Sequence, residues 1–308
     1  MLAPMNDEGD AQLPVVAGVE LGGTKALAVL ARGDTVLERV RIPTTDPTST
    51  LAALSDQLVS WETQHGGFAA IGIGGFGPLG LDPHRQDFGW VTTTPKPGWA
   101  NVDVRGHFAR RFGVPIGFDT DVAGAALAEG RWGTSQGCPV HLYITIGTGI
   151  GAGVVVDGRP VHGLVHPEIG HIRVRRATNS FPGTCPFHGD CIEGLTSGPA
   201  IAARAGVPAE ELGVDDPVWH DVAADVAELM AVLILVLSPQ RIVLGGGVGN
   251  GSGFPLAQIR ANTIAVLSDY VAAIDEAEVE RLIQQTTLGD DSGPLGATAL
   301  ALLALGLL

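Results

Sequence analysis

Two stretches of the chain repeat the same local pattern, and this duplication constrains the fold more than any other feature. Residues 15–40 run as a short apolar segment, a turn at Gly22 and Gly23, a second apolar segment, a Gly-Asp turn and a third segment. Residues 142–160 repeat this order around a turn at 147–151. Short apolar runs between glycine turns predict strands. Two copies in one chain predict two similar halves that face each other.

Both turns combine glycine with threonine. The residues are Gly22, Gly23, Thr24 and Lys25 in the first turn and Gly147, Thr148 and Gly149 in the second. Glycine lets backbone N–H groups approach an anion closely. Either turn alone is equally compatible with a plain tight hairpin, but the pair favours a phosphate clamp. A third run, Gly245, Gly246 and Gly247, predicts either a strand-to-helix turn or a surface for a base or ribose.

Thiol and imidazole side chains are concentrated between positions 166 and 195. The candidate ligands are His171, Cys185, His188 and Cys191. This donor set suits a tetrahedral zinc with no open coordination position, and therefore a structural metal. A Cys185–Cys191 disulfide and ordinary buried thiols are the alternatives. Glu168 and Glu193 lie beside the ligands and are candidate hydrogen-bond acceptors for a polyol.

A predicted strand at 114–118 delivers Asp119, Thr120 and Asp121 to the start of a helix. Carboxylates at such a junction have two interpretations. One is capping of the helix, and the other is a general base at the mouth of a cleft. One of these residues can cap while another takes part in chemistry.

Composition limits the partners of the chain. Its 308 residues suffice for two domains, and its net charge of -15 argues against a nucleic-acid partner. The longest apolar run, 229–237, is about half of a bilayer span. Residues 1–14 are acidic, lack a signal-peptide pattern and are predicted to be a flexible tail. No membrane partner and a cytoplasmic location are therefore expected.

Together the motifs resemble the ROK family of sugar kinases (repressor, open reading frame, kinase), and most specifically its bacterial fructokinase branch. The resemblance covers the chain from about Val15 onward and rests on the stretches 18–25, 94–101, 118–122 and 185–200. It implies an α/β fold of the actin-like ATPase (ribonuclease-H-like) type, with two similar domains around a central cleft. The expected domains are a small N-terminal one at 15–119 plus 293–308 and a larger C-terminal one at 120–292, which carries the zinc-binding segment 166–195.

The resemblance also implies an activity: ATP-dependent phosphorylation of a hexose, chiefly D-fructose to fructose 6-phosphate, with Mg²⁺ accompanying ATP. Asp121 matches the catalytic aspartate, and the three glycine turns match the nucleotide contacts. The implied zinc ligands are His171, Cys185, His188 and Cys191, and the implied sugar contacts are Gly75, Glu168, His171 and Glu193. A homodimer is implied as well.

Two departures from the family pattern stand near Asp121. Ala123 stands where family members often carry asparagine, which raises the question of how the start of the helix is held. Thr120 stands where glucose-type members commonly carry asparagine, which weakens a glucose preference more than a fructose preference. Mannose, glucose and N-acetylated hexosamines remain alternative substrates. A sugar-responsive repressor and a catalytically silent sugar-binding module are alternatives of other classes. The repressor is disfavoured because only about 14 residues precede Val15, too few for a DNA-binding domain.

Overall fold

The computed structural model describes residues 12–176 and 180–308. The strands are β1 (Val16–Leu21), β2 (Lys25–Arg32), β3 (Thr35–Pro43), β4 (Ile71–Gly75), β5 (Trp90–Val91), β6 (Val102–Asp103), β7 (Ile116–Thr120), β8 (Val140–Ile146), β9 (Ile150–Val156), β10 (Arg159–Pro160), β11 (Arg241–Gly245) and β12 (Ile283–Gln285). The helices are α1 (Pro47–His65), α2 (Val104–Arg111), α3 (Asp121–Arg131), α4 (Ile192–Thr196), α5 (Gly198–Ala205), α6 (Val218–Leu237), α7 (Gly246–Gly249), α8 (Leu256–Leu267), α9 (Glu276–Leu282) and α10 (Ser292–Ala304).

These elements form two compact units. The first holds the described residues up to Gly137 together with Val155–Pro167 and Asp290–Leu308, and the second holds Cys138–Val154 and Glu168–Gly289. The first unit is therefore larger than the domain expected from the sequence, because it extends past residue 119 and includes α3.

The first unit is built on a five-stranded sheet with the order β3-β2-β1-β4-β7. Strands β1 to β3 are antiparallel neighbours, whereas β1, β4 and β7 run parallel. Leu21 pairs with Gly75, which in turn pairs with Thr120. The carboxyl ends of the three parallel strands therefore meet at one edge of the sheet, and this edge presents the first glycine turn and Asp121.

Helix α10 packs so closely on this sheet that the two backbones are nearly in contact. A β-carbon at Gly72 would overlap the carbonyl oxygen of Ala297, and one at Gly117 would overlap that of Leu300. Helix α3 also approaches α10 closely, because a β-carbon at Gly296 would lie 2.6 Å from the backbone of Gly124 and Ala125. Real side chains do not tolerate such separations, so only glycine fits. This packing explains why α3 belongs to the first unit.

The predicted tail at 1–14 lies mostly outside the described residues, but its end is ordered. Leu13 is 7% exposed and packs with Val16, Ala70, Ala301 and Leu302. The packed core of the first unit therefore begins before position 15.

The second sheet has the order β10-β9-β8-β11-β12. Both five-stranded sheets thus place their strands in the order third, second, first, fourth, fifth, which confirms the duplication predicted from the sequence. Strands β8, β11 and β12 run parallel, and Gly245 pairs with Thr145. The second glycine turn and the third glycine run therefore leave the same edge of this sheet. Among the described residues, no helix has the length and apolarity needed to cross a membrane.

Candidate functional site

In the first glycine turn, the carbonyl oxygens of Gly22 and Thr24 accept hydrogen bonds, and the Gly22 N–H donates to the Lys25 oxygen at 3.1 Å. Thr44 donates from Oγ1 to the Gly22 oxygen at 2.9 Å and from its backbone nitrogen to the Thr24 oxygen at 3.0 Å. Within residues 12–176 and 180–308, the backbone N–H groups of Gly23 and Thr24 have no hydrogen-bond partner. Adjacent unpaired amides form a concave donor site for an anion.

The second turn repeats this arrangement. The Gly147 nitrogen donates to the Gly149 oxygen at 3.0 Å, and the Gly147 oxygen accepts from the Gly198 nitrogen at 2.7 Å. The N–H groups of Thr148 and Gly149 have no partner in the described part of the chain. Each turn therefore offers two adjacent amide donors that a phosphate oxygen can accept.

The three glycines after β11 differ from one another. A β-carbon at Gly246 would lie 2.5 Å from Oγ1 of Thr145, and Gly246 has a φ of +81°, which favours glycine. A β-carbon at Gly245 would collide with the Tyr143 ring, whereas nothing lies within 4 Å of one at Gly247. Packing against β8 thus accounts for two of the glycines. Only Gly247 leaves open space where a ligand could lie.

Asp121 is the first residue of α3, immediately after the end of β7. Its Oδ1 accepts the Val122 backbone N–H at 2.9 Å. Thr120 caps the helix, because its Oγ1 accepts the Ala123 N–H at 3.1 Å. The departure from asparagine at position 123 is therefore no obstacle to the helix start. Gly74 allows β4 to approach closely, since a β-carbon there would lie 3.2 Å from the Asp121 Cα.

Glu20, at the end of β1 just before the first turn, is a residue that the sequence analysis did not assign. Its Oε2 is buried without a hydrogen-bond partner among the described residues. Burial raises the pKa of this carboxyl, and the nearby charges of Lys25 and Arg39 oppose the rise. A carboxylate in an otherwise apolar strand was the sequence signal that could have identified it.

The four predicted ligands converge in the second unit. The ligand atoms of His171, Cys185, His188 and Cys191 all lie within 4.8 Å of one another. Nδ1 of His171 lies 3.6 Å from the Cys191 sulfur and 3.8 Å from that of Cys185. Tetrahedral Zn–S and Zn–N bonds predict ligand separations of about 3.3–3.8 Å. The donor set and these two sulfur–nitrogen separations therefore fit a closed tetrahedral metal site.

The thiols of the cluster are free, so the alternative of a disulfide between Cys185 and Cys191 is wrong for this structure. Cys191 is fully buried. Burial raises the pKa of Cys191 to about 11; the Gly194 N–H opposes this rise, and the neighbouring Cys185 thiol adds to it. A metal ion would supply the positive charge that two buried thiolates require.

The cluster is connected to the second glycine turn by α4. Cys191 is the N-cap of this helix, and Glu193 in its first turn accepts the Ile150 N–H at 3.0 Å through Oε2. The backbone at Gly170, next to His171, lies so close to the Ile150 oxygen that only glycine fits. Glu193 and Gly170, which lie near the two ends of the cluster, therefore both contact Ile150, close to the second glycine turn.

Glu193 thus has one oxygen committed to the second turn, whereas Glu168 is exposed and precedes the short 3₁₀ turn at Ile169–His171. Gly75 lies at the carboxyl end of β4, paired with Leu21 and Thr120. It is therefore part of the sheet edge that carries Asp121.

Comparison with known proteins decides the family. A family model described as "ROK family" matches residues 16–303. The chain belongs to the ROK family. This result confirms the resemblance seen in its motifs.

The alignments with similar proteins cover nearly the whole of this ROK chain. A fructokinase from Zymomonas mobilis subsp. mobilis is 42% identical over 295 residues, which cover 93% of this chain and 96% of the relative. A fructokinase from Pediococcus pentosaceus is 38% identical, with coverage of 94% and 99%. The crystal structure of a ROK hexokinase from Thermus thermophilus has a TM-score of 0.76 and 29% identity, and covers 95% of this chain and 99% of its own. The fold is therefore that of the actin-like sugar kinases, as expected.

Next to Asp121, this ROK chain has an ion pair between a buried aspartate and a partly exposed histidine, which its sequence did not predict. Asp119 is 3% exposed, and its Oδ2 lies 2.9 Å from Nε2 of His162. Its Oδ1 accepts the Thr120 N–H at 2.7 Å. The hydrogen bond to Asp119 raises the pKa of His162, with burial opposing and the Asp119 charge reinforcing the rise. Both carboxylate oxygens of Asp119 thus have partners within the protein, which makes Asp119 a structural residue rather than a candidate general base.

This pair predicts a pH-dependent stability. Because the pKa of His162 is higher in the folded state, its stabilisation is complete below the unfolded value of about 6.5 and is lost as the pH rises through the folded value. The His162 side chain is 35% exposed, so solvent screening limits the effect. We expect His162→Gln to lower the free energy of unfolding by about 0.5–1 kcal/mol at pH 6 and by less at pH 8.5. Urea unfolding at both pH values measures this, and an equal loss at the two would contradict it.

Proposed function

We propose that this protein transfers the γ-phosphoryl group of ATP to a hexose, converting D-fructose to fructose 6-phosphate. The observation that carries the proposal is the 42% identity to a fructokinase over 93% of the chain. Membership of the ROK family and the likeness to a ROK hexokinase support sugar phosphorylation more generally. A relative named glucokinase, from Halalkalibacterium halodurans, is 28% identical.

Asp121 is the proposed general base. Phosphoryl transfer has a loose transition state, so the protein acts mainly by positioning the reactants and neutralising charge. The Asp121 carboxylate would accept the proton of the attacking hydroxyl or orient it for in-line attack. Its placement at the end of a parallel strand supports this role, because ligands in open α/β sheets bind outside the carboxyl ends of the strands.

The glycine turns are the proposed nucleotide contacts. The unpaired amides of Gly23, Thr24, Thr148 and Gly149 can donate to phosphate oxygens, and Lys25 adds a positive charge. Mg²⁺, when bound with ATP, would neutralise phosphate charge. Oε2 of Glu20, which is buried without a hydrogen-bond partner among the described residues, is a proposed contact for such a cation. Gly247 is the proposed contact for the base or ribose.

The Cys/His cluster is the proposed zinc site, with a structural role. Its ligands would be His171, Cys185, His188 and Cys191. Glu168, His171, Glu193 and Gly75 are the proposed sugar contacts. Disulfides are rare in the reducing cytoplasm, so the three free cysteines agree with the proposed cytoplasmic location.

A coupled ADP-release assay over a panel of sugars tests the proposal. We expect the highest kcat/KM with fructose, and lower values with mannose, glucose and N-acetylated hexosamines, because the relatives at 42% and 38% identity are fructokinases. Release of ADP with another hexose but not with fructose would contradict the substrate assignment. Sugar binding without any ADP release would contradict kinase activity itself.

A further inference from the structure

Lys96 reaches the first glycine turn from a distant loop. Its ammonium group donates to the carbonyl oxygen of Gly23, and it lies 3.4 Å from the carbonyl oxygen of Thr44. Neither contact is visible in the sequence, where Gly23 and Lys96 are 73 positions apart. The lysine side chain therefore belongs to the immediate surroundings of the proposed phosphate site.

The loop that carries Lys96 is firmly anchored. Trp99 is fully buried, its Nε1 donates to the Thr45 oxygen at 2.8 Å, and its ring packs edge-on against Phe76 at 5.4 Å. The Lys96 nitrogen donates to Oγ1 of Thr94, and its oxygen accepts the Trp99 N–H, both at 3.3 Å. The ammonium group is thus delivered to the turn by a fixed backbone rather than by a loose surface side chain.

The contact with the Gly23 oxygen sets the direction of a phosphate-facing amide. In a planar trans peptide the N–H points opposite to the C=O. Lys96 therefore holds the Gly23–Thr24 peptide with the Thr24 N–H on the far side, just as Thr44 holds the preceding peptide through the Gly22 oxygen. These two peptides carry the two unpaired amides of the turn.

The charge of Lys96 adds to this orientation. Across residues 12–176 and 180–308, no carboxylate forms an ion pair with it. Its positive charge is therefore not cancelled by a partner. A cation on the carbonyl oxygen polarises the peptide and strengthens its N–H as a donor. The charge of Lys96 and the stronger N–H donor favour binding of an anion at the turn, and they favour an uncharged sugar much less.

We propose that Lys96 is a positioning residue for nucleotide phosphate, acting through the Gly23–Thr24 peptide. The inference rests on the proposed function, since it takes the first turn to be a nucleotide contact. It assigns Lys96 to the nucleotide and not to the hexose.

The test compares Lys96→Met, which keeps the length of the side chain but removes charge and donors, with Lys96→Arg, which keeps both. Binding of a non-hydrolysable ATP analogue is measured by calorimetry without sugar, and the KM values for ATP and fructose are measured separately. We expect Lys96→Met to weaken nucleotide binding and to raise the KM for ATP by roughly tenfold, the size of a lost charge-assisted hydrogen bond. The KM for fructose should not change, and Lys96→Arg should recover most of the loss. Melting temperatures control for folding.

Several results would overturn the inference. They are unchanged nucleotide binding in Lys96→Met, a rise in the KM for fructose alone, and an arginine variant as impaired as the methionine variant. Wild-type protein that binds the nucleotide but does not phosphorylate fructose would contradict the proposed function. The role of Lys96 would then be decided by the calorimetric comparison of nucleotide binding. Wild-type protein that binds no nucleotide would overturn both.

Discussion

Asp121→Asn is expected to lower kcat by a factor of about 10² to 10⁴, the usual contribution of a positioned general base. Asparagine has nearly the same shape as aspartate but cannot accept the hydroxyl proton. The effect should fall on kcat more than on the KM for ATP, because the glycine turns that are proposed to hold the nucleotide are unaltered. Steady-state kinetics with fructose and ATP measures both parameters.

The fold should survive this substitution. The amide oxygen of asparagine can still accept the Val122 N–H, a bond that Oδ1 of Asp121 makes at 2.9 Å. The helix cap is provided by Thr120 and is not touched. Circular dichroism and the melting temperature should therefore match those of the wild type.

Asp119→Asn is the matched control, because it removes the neighbouring carboxylate two positions earlier. Asp119 is paired with His162, so this change should reduce stability at low pH and affect turnover much less. Near-normal kcat in Asp121→Asn would remove that residue from the role of base. An equal loss of kcat in both variants would show that local structure, and not proton acceptance, is responsible.

The parts of the fold that depend on local pattern could be predicted from the sequence. The two sheets follow from short apolar runs around glycine turns, because strand alternation and turn chemistry are encoded within a few residues. The Cys/His cluster was predictable for the same reason, since three of its four ligands lie within seven positions, 185–191.

Features that depend on distant residues could not be predicted. Helix α3 was expected in the second domain, but its partner α10 is more than 160 positions away and meets it through Gly124 and Gly296. The partners of Asp119 and Gly23, which are His162 and Lys96, are also distant in the sequence, by 43 and 73 positions. No periodicity in the sequence encodes such contacts; only the three-dimensional packing does.

The second large effect is expected from removal of the proposed zinc ion, which should reduce the stability of the protein. We expect the purified protein to contain about one equivalent of zinc, and Cys191→Ser to abolish its retention. Because Cys191 is fully buried and stands at the first residue before α4, the loss should lower the melting temperature by several degrees or more. Elemental analysis and thermal unfolding, before and after chelation, measure these changes.

The structure also predicts that loss of the proposed metal raises the KM values of both substrates. Helix α4 holds the second glycine turn through Glu193 on Ile150, and the Gly198 N–H that follows holds the Gly147 oxygen. A loosened helix should therefore raise the KM for ATP as well as the KM for fructose, although the cluster touches neither amide donor of the turn. The third cysteine provides the control: Cys138 lies outside the cluster, so Cys138→Ser should keep the metal, the melting temperature and both KM values. A metal-free preparation that retains full activity and stability would show that the four side chains pack together without needing an ion.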